Sequence, residues 1–495
     1  MMESSETTRV YDLAILGAGA AGMMAAIGAG EAGAGHGGKL RIAIFEKNVR
    51  AGIKVLVCGG GRCNFTNAGT VEFLIEQFGR NGRFLTPALR GREALDNEGL
   101  RDFFAGLGVP SHVEHDGKVY PDSNRAQSVV DALVARMGEL GVEVYTGNAG
   151  TVVEIERADQ TTENTEGTQI QQNSSSVNSV SSVVSFRVST ADGASHVARA
   201  VILAVGGMSY QRMGTTGDGY RFAASLGHTI VTPRPAIVGL LVAEEWAREL
   251  KGVAVEGAEV RIVVSGSLPK LATGKPAPSV NDLLFTHFGL SGPAVLNVSE
   301  IVAELLEKVG KVGLAVDFAR GRTHEELHGL MRSWQQREGR KLLRTMLSQH
   351  AREVVIESTS PDRTAVERAA GERGREFSLP GRVAEKFLEL EGISREQACA
   401  TLTSGQMHRL VERIKNCRFT VTGTRGFKEA MVTAGGVKLS EVDPRTMESR
   451  IVPELYLTGE VLDLTGPSGG YNLQLAFSTG RLAGVSVAER LARGG

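Results

Sequence analysis

The first fifty residues place a strand, a glycine-rich turn and a helix in direct succession. An apolar run at residues 13–16 leads into Gly17-Ala18-Gly19-Ala20-Ala21-Gly22, and a helix of small residues follows. A second apolar strand, "KLRIAIFEK", ends at Glu46. This order predicts a βαβ unit, and the glycine spacing inside it is typical of a dinucleotide-binding turn.

Each glycine of such a turn has a physical task. Gly17 permits the tight turn, Gly19 lets a pyrophosphate approach bare backbone, and Gly22 packs the helix against the strand. The N-terminus of the helix attracts the phosphates, and Glu46 can accept hydrogen bonds from ribose hydroxyls. An acidic residue at this position favours an unphosphorylated ribose, which means FAD or NAD rather than NADP.

The other end of the chain favours a flavin. The stretch "VPELYLTGEVLD" predicts a strand at residues 455–457 that runs into Gly459 and Glu460. In flavin enzymes with this kind of domain, a similar late strand ends in a glycine and an acid that meets the ribityl chain. Gly469 and Gly470 come directly before the final helix, whose positive N-terminus would stabilise a reduced, anionic flavin.

Composition narrows the classes of partner. The chain has 495 residues, which suggests two or three domains, and a formal net charge of -1. We therefore expect a small-molecule substrate, no nucleic acid and no membrane partner. Only four cysteines occur, which fits a reducing cytoplasm rather than a disulfide scaffold. The polar start and the lack of an apolar run of about 18 residues favour a cytoplasmic location.

The middle of the chain changes character twice. Short alternating apolar runs separated by Gly and Pro from about residue 230 to 318 predict a β-rich domain. A charged helical pattern follows from about residue 323 to 414, and the α/β pattern then returns. The spacing of apolar residues predicts a helix over residues 125–140. A polar tract at 158–182 predicts a disordered hairpin loop between two strands.

Several motifs together resemble the BaiN-like (YhiN-type) flavoprotein family, whose members are described as FAD-dependent oxidoreductases, some as an aminoacetone oxidase family. The motifs are "KVLVCGGGRCNFTN", "GTTGDGY", "FTHFGLSGPAVL", "TAGGVKLSEVDPRTMES" and "GEVLDLTGPSGGYNLQLAFSTG". The resemblance implies an α/β fold in which a Rossmann-like FAD domain of the two-dinucleotide-binding type is split by an inserted β-barrel carrying a helical insertion. The domains expected are the FAD domain at 1–212 and 426–495, the barrel at 213–321 and 412–425, and the helical insertion at 322–411.

The motifs and the resemblance predict a set of cofactor contacts spread over the whole chain. They are Gly17, Gly19, Ala20, Ala21, Gly22, Glu46, Lys47, Lys54, Gly60, Gly61, Arg62, Cys63, Asn64, Val153, Gly206, Gly207, Gly459, Glu460, Gly469, Gly470, Tyr471, Asn472 and Leu473.

Cys58 and Cys63 allow two interpretations. Their spacing is that of the flavin disulfide reductases, in which a dithiol passes electrons to a substrate disulfide. The family usually has serine or another small residue where Cys58 stands, and three glycines lie between the cysteines. The favoured interpretation is therefore a glycine-rich backbone that lies against the cofactor, with Lys54, Arg62 and Asn64 as donors. No metal site is expected.

The predicted function is transfer of hydride, or of two electrons, between FAD and a small organic substrate. His287 and Cys63 are weak catalytic candidates, and Asp218 is expected to cap a helix. The sequence has no second strand–GxGxxG–helix unit, so NAD(P)H, if it reduces the flavin, would dock transiently between the FAD domain and the barrel. The alternatives are a pyridine-nucleotide:disulfide reductase using Cys58 and Cys63, and a flavin-binding sensor without turnover.

Overall fold

A computed structural model of the chain describes residues 9–35, 38–159, 184–264, 269, 271, 276–349 and 377–493. Its strands are β1 (Arg9–Leu16), β2 (Ile42–Glu46), β3 (Thr66–Asn67), β4 (Ser111–Val113), β5 (Lys118–Pro121), β6 (Glu143–Thr146), β7 (Val152–Asp159), β8 (Val184–Thr190), β9 (Ser195–Leu203), β10 (Ile230–Ala236), β11 (Leu240–Val242), β12 (Ala254–Val263), β13 (Ser279–Phe285), β14 (Gly289–Ser291), β15 (Val312–Asp317), β16 (Cys417–Thr424), β17 (Val432–Val437) and β18 (Leu455–Leu457). Its α-helices are α1 (Ala20–Gly35), α2 (Ile53–Val57), α3 (Val71–Glu76), α4 (Thr86–Arg90), α5 (Asn97–Gly106), α6 (Ala126–Glu139), α7 (Asp218–Ser225), α8 (Trp246–Glu249), α9 (Pro293–Leu296), α10 (Ser299–Val309), α11 (His324–Arg337), α12 (Leu343–Ser348), α13 (Gly381–Leu390), α14 (Ser404–Lys415) and α15 (Tyr471–Arg493).

The main sheet has the strand order β6-β2-β1-β9-β8-β7, and β18 pairs with β9. The strands β6, β2, β1, β9 and β18 run parallel, whereas β7 and β8 form an antiparallel extension. Strand β2 is buried along its whole length, as expected where helices cover both faces of a parallel sheet. The carboxyl ends of β1, β2, β9 and β18 meet at one edge, which is where ligands bind in sheets of this kind.

Helices α1 and α15 pack unusually close together against this sheet. A Cβ atom added at Gly480 would lie 2.3 Å from the carbonyl oxygen of Ala21, and one added at Gly484 would lie 2.1 Å from that of Ala25. Only glycine tolerates such a backbone approach, so these residues let the last helix lie directly on the first. The N-terminus of α1 is therefore held in place by residues more than 450 positions away along the chain.

A second hydrophobic core fills a closed barrel with the strand order β11-β14-β13-β12-β15-β16. Helices α11 to α14 belong to the same core. The expected boundary at residue 213 differs from the structure, because Tyr220 and Phe222 of α7 pack in the core of the main sheet. The first barrel strand begins at Leu240, after β10 has paired with β17 to form a two-stranded connection.

The predicted α/β fold with an inserted barrel is confirmed, and the helix predicted at 125–140 is α6. The polar tract at 158–182 lies, from residue 160 onward, outside the described residues; the strands on either side of it, β7 and β8, pair antiparallel. Among the helices that the structure describes, none is both long enough and apolar enough to cross a membrane.

Candidate functional site

A cavity lies at the carboxyl edge of the main sheet. It brings together the first glycine turn, the end of β2, helix α2, the segment after β9, and the start of α15. The predicted residues that line it are Gly17, Gly19, Ala20, Ala21, Glu46, Lys47, Lys54, Gly206, Glu460, Asn472 and Leu473. Residues from both ends of the chain thus line one cavity.

The glycine turn leaves bare backbone on the cavity wall. Gly17 has a φ of 95°, and a Cβ there would lie 2.5 Å from the carbonyl oxygen of Ala204. A Cβ on Gly19 would meet nothing within 4 Å. The side open to ligand is therefore free of side chains, at the N-terminus of α1, which fits a pyrophosphate.

Gly22 does not line the cavity; it serves the packing of the turn. Its Cβ would lie 1.8 Å from the carbonyl oxygen of Gly17. Any side chain at this position would push helix α1 away from the end of β1. The third glycine therefore lets the start of α1 pack directly on the end of β1, and its role as a cofactor contact stays a prediction.

The Glu46 carboxylate ties the turn to the end of β2. One oxygen accepts from the backbone N–H of Ala18 at 2.9 Å, and the other accepts from the N–H of Asn48 at 2.9 Å and from its side-chain amide at 2.6 Å. Glu46 is buried but lines the cavity. A carboxylate has about four lone-pair sites, so acceptor capacity remains for ribose hydroxyls.

The opposite half of the cavity holds a half-buried ion pair. The Lys54 ammonium lies 2.5 Å from Glu460 Oε2 and 2.7 Å from Ser209 Oγ. Ser209 Oγ in turn donates to Glu460 Oε1 at 2.8 Å, and the backbone N–H of Thr433 donates to the same oxygen at 2.8 Å. Because every member has a partner, the network fixes a positive and a negative charge at defined places on the wall.

Residues 208–218, named here the strap, cross from β9 to α7 and close one side of the cavity. Asp218 was expected to cap α7, but it is the first helical residue and makes no cap. Its carboxylate instead accepts from Lys47 Nζ at 2.6 Å and from Thr216 Oγ1 at 2.9 Å. Burial works to raise the pKa of Asp218, but the hydrogen bonds from Lys47 and Thr216 outweigh it and the pKa lies below its usual value.

The glycine-rich segment after α2 turns away from the cavity. Residues 59–61 have φ values of 57°, 68° and 86°, a left-handed run that glycine adopts without strain, and they are exposed. The turn carries Arg62 to the far side, where it donates to Glu114 at 2.6 Å and stacks on Tyr120 at 3.9 Å. Gly60, Gly61 and Arg62, predicted as cofactor contacts, are not among the residues that line the cavity.

The rest of this segment supports the loop before α15. Asn64 Oδ1 accepts from the N–H of Val119 at 3.2 Å and does not line the cavity. A Cβ on Gly470 would lie 2.3 Å from the carbonyl oxygen of Thr66 and 2.8 Å from Asn64 Oδ1. The segment is thus the surface on which the loop rests, while Lys54 and Cys58 at its start reach the cavity.

The cysteines have the character of protonated thiols. Both are free, and burial raises the pKa of Cys58 to about 11, against the opposing charge of Lys54. Cys63 is fully buried with a φ of 64°, and burial raises its pKa well above the usual value. Since the thiolate is the reactive form, neither residue has the lowered pKa of a redox-active pair.

Several other predicted residues do not line the cavity. For the glycines among them the reason is that their backbones pack closely against neighbouring atoms. A Cβ on Gly207 would lie 2.5 Å from Thr433 Oγ1, and one on Gly459 would lie 2.9 Å from Ala21 Cβ. Gly469 packs against the ring of Tyr471. Val153 is 43% exposed, and the cavity is lined at this point by its neighbour Val152. His287 is exposed in the turn between β13 and β14 and does not line the cavity either.

Several lining residues were missed from the sequence. They are Asn48, Gly52, Ile53, Val55, Gly150, Val152, Val205, Met213, Gly214, Thr215, Met431 and Val432. Gly150 is required by a tertiary contact, because a Cβ there would lie 2.3 Å from the carbonyl oxygen of Glu46, and the sequence around it does not encode that contact. Met431 and Val432 gave no signal either, since only the return of β17 from the barrel brings them here.

Comparison with known proteins identifies a family for this chain and relatives that align with it over nearly their whole length. The family model described as HI0933-like protein Rossmann domain matches residues 11–177 and 160–486. A "3-dehydro-bile acid delta(4,6)-reductase" of Clostridium scindens is 31% identical over 97% of this chain and 99% of its own length. A "ribosomal RNA dihydrouridine synthase" of Haemophilus influenzae is 27% identical over 96% of this chain and 98% of its own length.

Among solved structures, 3-ketosteroid delta1-dehydrogenase from Sterolibacterium denitrificans is similar to this chain with a TM-score of 0.47 and 13% identity. The match covers 99% of this chain and 100% of that one.

Proposed function

Since this chain belongs to the HI0933-like family of Rossmann-domain flavoproteins, we propose that it is an FAD-dependent reductase of a carbon–carbon double bond conjugated to a carbonyl group. The chain is a flavin-dependent oxidoreductase; the identity of the flavin as FAD, the type of bond and the substrate are the proposal.

The observation that carries the proposal is the convergence of two binding elements on one cavity. The glycine turn with Glu46 at one half suits the ADP part of a dinucleotide, and Glu460 with the start of α15 at the other half suits a ribityl chain and ring. Asn472 supports the second half, because its side chain donates to the carbonyl oxygen of Gly466 at 2.8 Å and accepts from its N–H at 2.9 Å. This pins the loop in front of α15.

Each group has a role that follows from its position. The backbone at Gly17 to Gly19 would bind the pyrophosphate, Glu46 the ribose, and Lys54 with Glu460 the polar edge of the flavin half. Apolar residues such as Val432 and Leu473 would exclude water from that half. The bound flavin supplies hydride chemistry that no side chain of the protein can provide.

The type of bond is supported by the names of the relatives. A delta(4,6)-reductase of a 3-dehydro bile acid acts on a double bond in conjugation with a ketone, and a dihydrouridine synthase saturates a double bond in conjugation with a uracil carbonyl. These substrates differ in size, but both reactions add hydride to one carbon and a proton to its neighbour. We carry over the bond type to this chain and not either substrate.

The relatives leave two classes of substrate, a free ring compound and a uridine within RNA. The expectation of no nucleic-acid partner stays a prediction, and the similarity to the dihydrouridine synthases is the observation that favours RNA as the second candidate. The reductant is proposed to be a nicotinamide nucleotide that docks transiently, because the sequence has one nucleotide-binding unit and the flavin would fill it.

The test uses the protein reconstituted with FAD and reduced with dithionite in the absence of oxygen. It is mixed with 2-cyclohexen-1-one, with a 4-en-3-oxo steroid, and with a ribosomal RNA fragment containing uridine. We expect the absorption band of oxidised flavin to return with at least one probe, together with a product heavier by two hydrogens. If no probe reoxidises the flavin, the proposal is refuted; the probe that reacts decides between the two classes.

A further inference from the structure

The rim of the cavity carries one exposed side chain. Among the residues that line the cavity, all of which belong to the described part of the chain, Met431 alone is exposed, with 41% of its surface open to solvent. The other lining residues are buried or half-buried. Met431 therefore marks the place where the cavity opens, and it presents a thioether there rather than a charge or a hydroxyl.

The backbone that follows Met431 places this opening at the flavin half. The next residue, Val432, also lines the cavity and is buried. The N–H of Thr433 donates to Glu460 Oε1 at 2.8 Å, and the other oxygen of that carboxylate accepts from Lys54. From Met431 to Thr433 the chain thus runs from solvent to the polar edge proposed for the flavin.

The two crossings between the domains hold Met431 in position. The chain enters the barrel after β10 and returns from it before β17. The two crossings are joined because the N–H of Met431 donates to the carbonyl oxygen of Ile237 at 3.2 Å and that of Arg425 donates to Gly239 at 3.0 Å. Ile237 is buried and has a φ of 49°, which a β-branched residue adopts only where its surroundings enforce it. The junction is therefore a fixed part of the cavity rim.

The same junction carries an aromatic ring. Phe288, in the turn between β13 and β14, lies so close to Gly239 that a Cβ on the glycine would be 2.6 Å from the ring. The Arg425 guanidinium lies over this ring at 4.7 Å and donates through Nε to Glu429 at 2.8 Å. The guanidinium is thus already engaged, and the junction offers a thioether and an aromatic ring for apolar contact.

The proposed reaction needs a surface of this kind. The conjugated double bond must lie against the flavin, so the rest of the substrate has to extend through the opening of the flavin half. Methionine is unbranched and polarizable, and it adapts to apolar ligands of different shapes. An apolar ring compound would cover the Met431 side chain on binding, whereas the ribose and phosphate groups of RNA would give it no apolar partner.

We propose that Met431 is a specificity-determining residue of the reductase, a role that rests on the proposed function. Its side chain contacts the apolar body of the substrate at the opening of the flavin half. The substrate class is accordingly a free alicyclic enone and not a uridine within RNA. Met431 supplies neither a proton nor electrons, so it acts on the affinity for the substrate and leaves the chemical step to other groups.

The test compares Met431→Gln with Ile451→Gln, because Ile451 is an apolar side chain of nearly the same exposure, 44%, that does not line the cavity. Each protein is loaded with FAD and titrated with 4-androstene-3,17-dione or 2-cyclohexen-1-one, whichever the unsubstituted protein binds more tightly, and the spectrum of the oxidised flavin reports binding. Glutamine keeps the length of methionine but removes its apolar end. We therefore expect the dissociation constant to rise by about tenfold in Met431→Gln and to stay unchanged in Ile451→Gln. Met431→Leu, which keeps an apolar side chain, should retain most of the affinity.

Two further readouts separate a substrate contact from a structural role. The FAD content of Met431→Gln should equal that of the unsubstituted protein. After reduction with dithionite, the concentration of enone that gives half the maximal rate of flavin reoxidation should rise in Met431→Gln, while the maximal rate changes less.

Three results would overturn the proposal while the reductase function stands. They are an unchanged dissociation constant or a loss of FAD in Met431→Gln, a loss of enone affinity in Met431→Leu equal to that in Met431→Gln, and an unsubstituted protein that reduces uridine in ribosomal RNA but binds neither enone. Failure of the unsubstituted protein to reduce any probe would refute the function and this proposal together.

Discussion

Replacing Gly484 by alanine should weaken both the fold and the cofactor site, although alanine is the better helix former. Gly484 lies inside α15, and its Cβ would be 2.1 Å from the carbonyl oxygen of Ala25 and 2.9 Å from the N–H nitrogen of Ala29. Ordinary van der Waals contact begins at 3.4 Å, so α1 and α15 must separate by 1.3 Å at this point. Both partners are backbone atoms of a helix and cannot move aside alone.

The magnitude follows from two opposing effects. Alanine gains about 1 kcal/mol of helix propensity over glycine, and overpacking of this kind costs about 1–3 kcal/mol. The matched control is Gly329→Ala in α11, where a Cβ would meet nothing within 4 Å. Because the propensity gain is common to both variants, the difference between them isolates the steric cost.

We expect Gly329→Ala to unfold at a higher temperature than the unsubstituted protein and Gly484→Ala to unfold lower than Gly329→Ala, by about 2–4 °C per kcal/mol. Thermal unfolding of the FAD-free protein, followed by circular dichroism, measures this. FAD titration should also give a weaker dissociation constant for Gly484→Ala, because the displaced helix carries the glycine turn at its N-terminus. If Gly484→Ala is stabilised as much as Gly329→Ala and binds FAD equally well, the helices do not lie in the contact described.

Three further predictions concern single side chains. Glu46→Gln replaces a carboxylate oxygen, proposed to accept from a ribose hydroxyl, by an amide NH2 that cannot accept; the loss of about 1–3 kcal/mol should raise the dissociation constant of FAD in a fluorescence titration by about tenfold to a hundredfold. Alkylation of Cys58 by iodoacetamide, located by mass spectrometry, should become faster only as pH approaches about 11. Cys63 should not react, because it is fully buried. Modification of Cys58 at full rate near neutral pH would favour the disulfide reductase alternative. Burial, and then the charge of Asp463, raises the pKa of Glu300 to about 7, so the native state holds a proton that the unfolded state loses from about pH 4.5 upward. The free energy of unfolding should therefore fall as pH rises from 4.5 through 7, and Glu300→Gln should remove that part of the pH dependence in denaturant titrations.

The local part of the site was predictable from the sequence, because its signals are short in range. The turn from Gly17 to Gly22 and the acid at Glu46 belong to one βαβ unit, and the spacing of their residues reflects contacts within that unit. Glu460 was predictable for a similar reason, as it follows a short buried strand directly. In each case the sequence neighbourhood is also the structural neighbourhood.

The rest depended on tertiary contacts that no local pattern encodes. The glycines at 59–61 suggest a cofactor contact, but their left-handed conformation carries Arg62 away from the cavity. Asp218 stands where a helix cap is expected, but its carboxylate accepts a hydrogen bond from Lys47, which follows strand β2. Met431 reaches the cavity because β17 returns from the barrel beside β10, and that route is set by the assembly of two domains.

The content of bound FAD tests the central claim most directly, because it asks whether the two ends of the chain form one dinucleotide site. The purified protein is incubated with FAD, freed of unbound cofactor, denatured, and the released nucleotide is identified by chromatography and mass spectrometry. We expect one FAD per chain, a yellow protein, and a much lower FAD content in Glu46→Gln. A colourless protein that takes up no FAD, or one that retains FAD equally well with Gln at position 46, would contradict it.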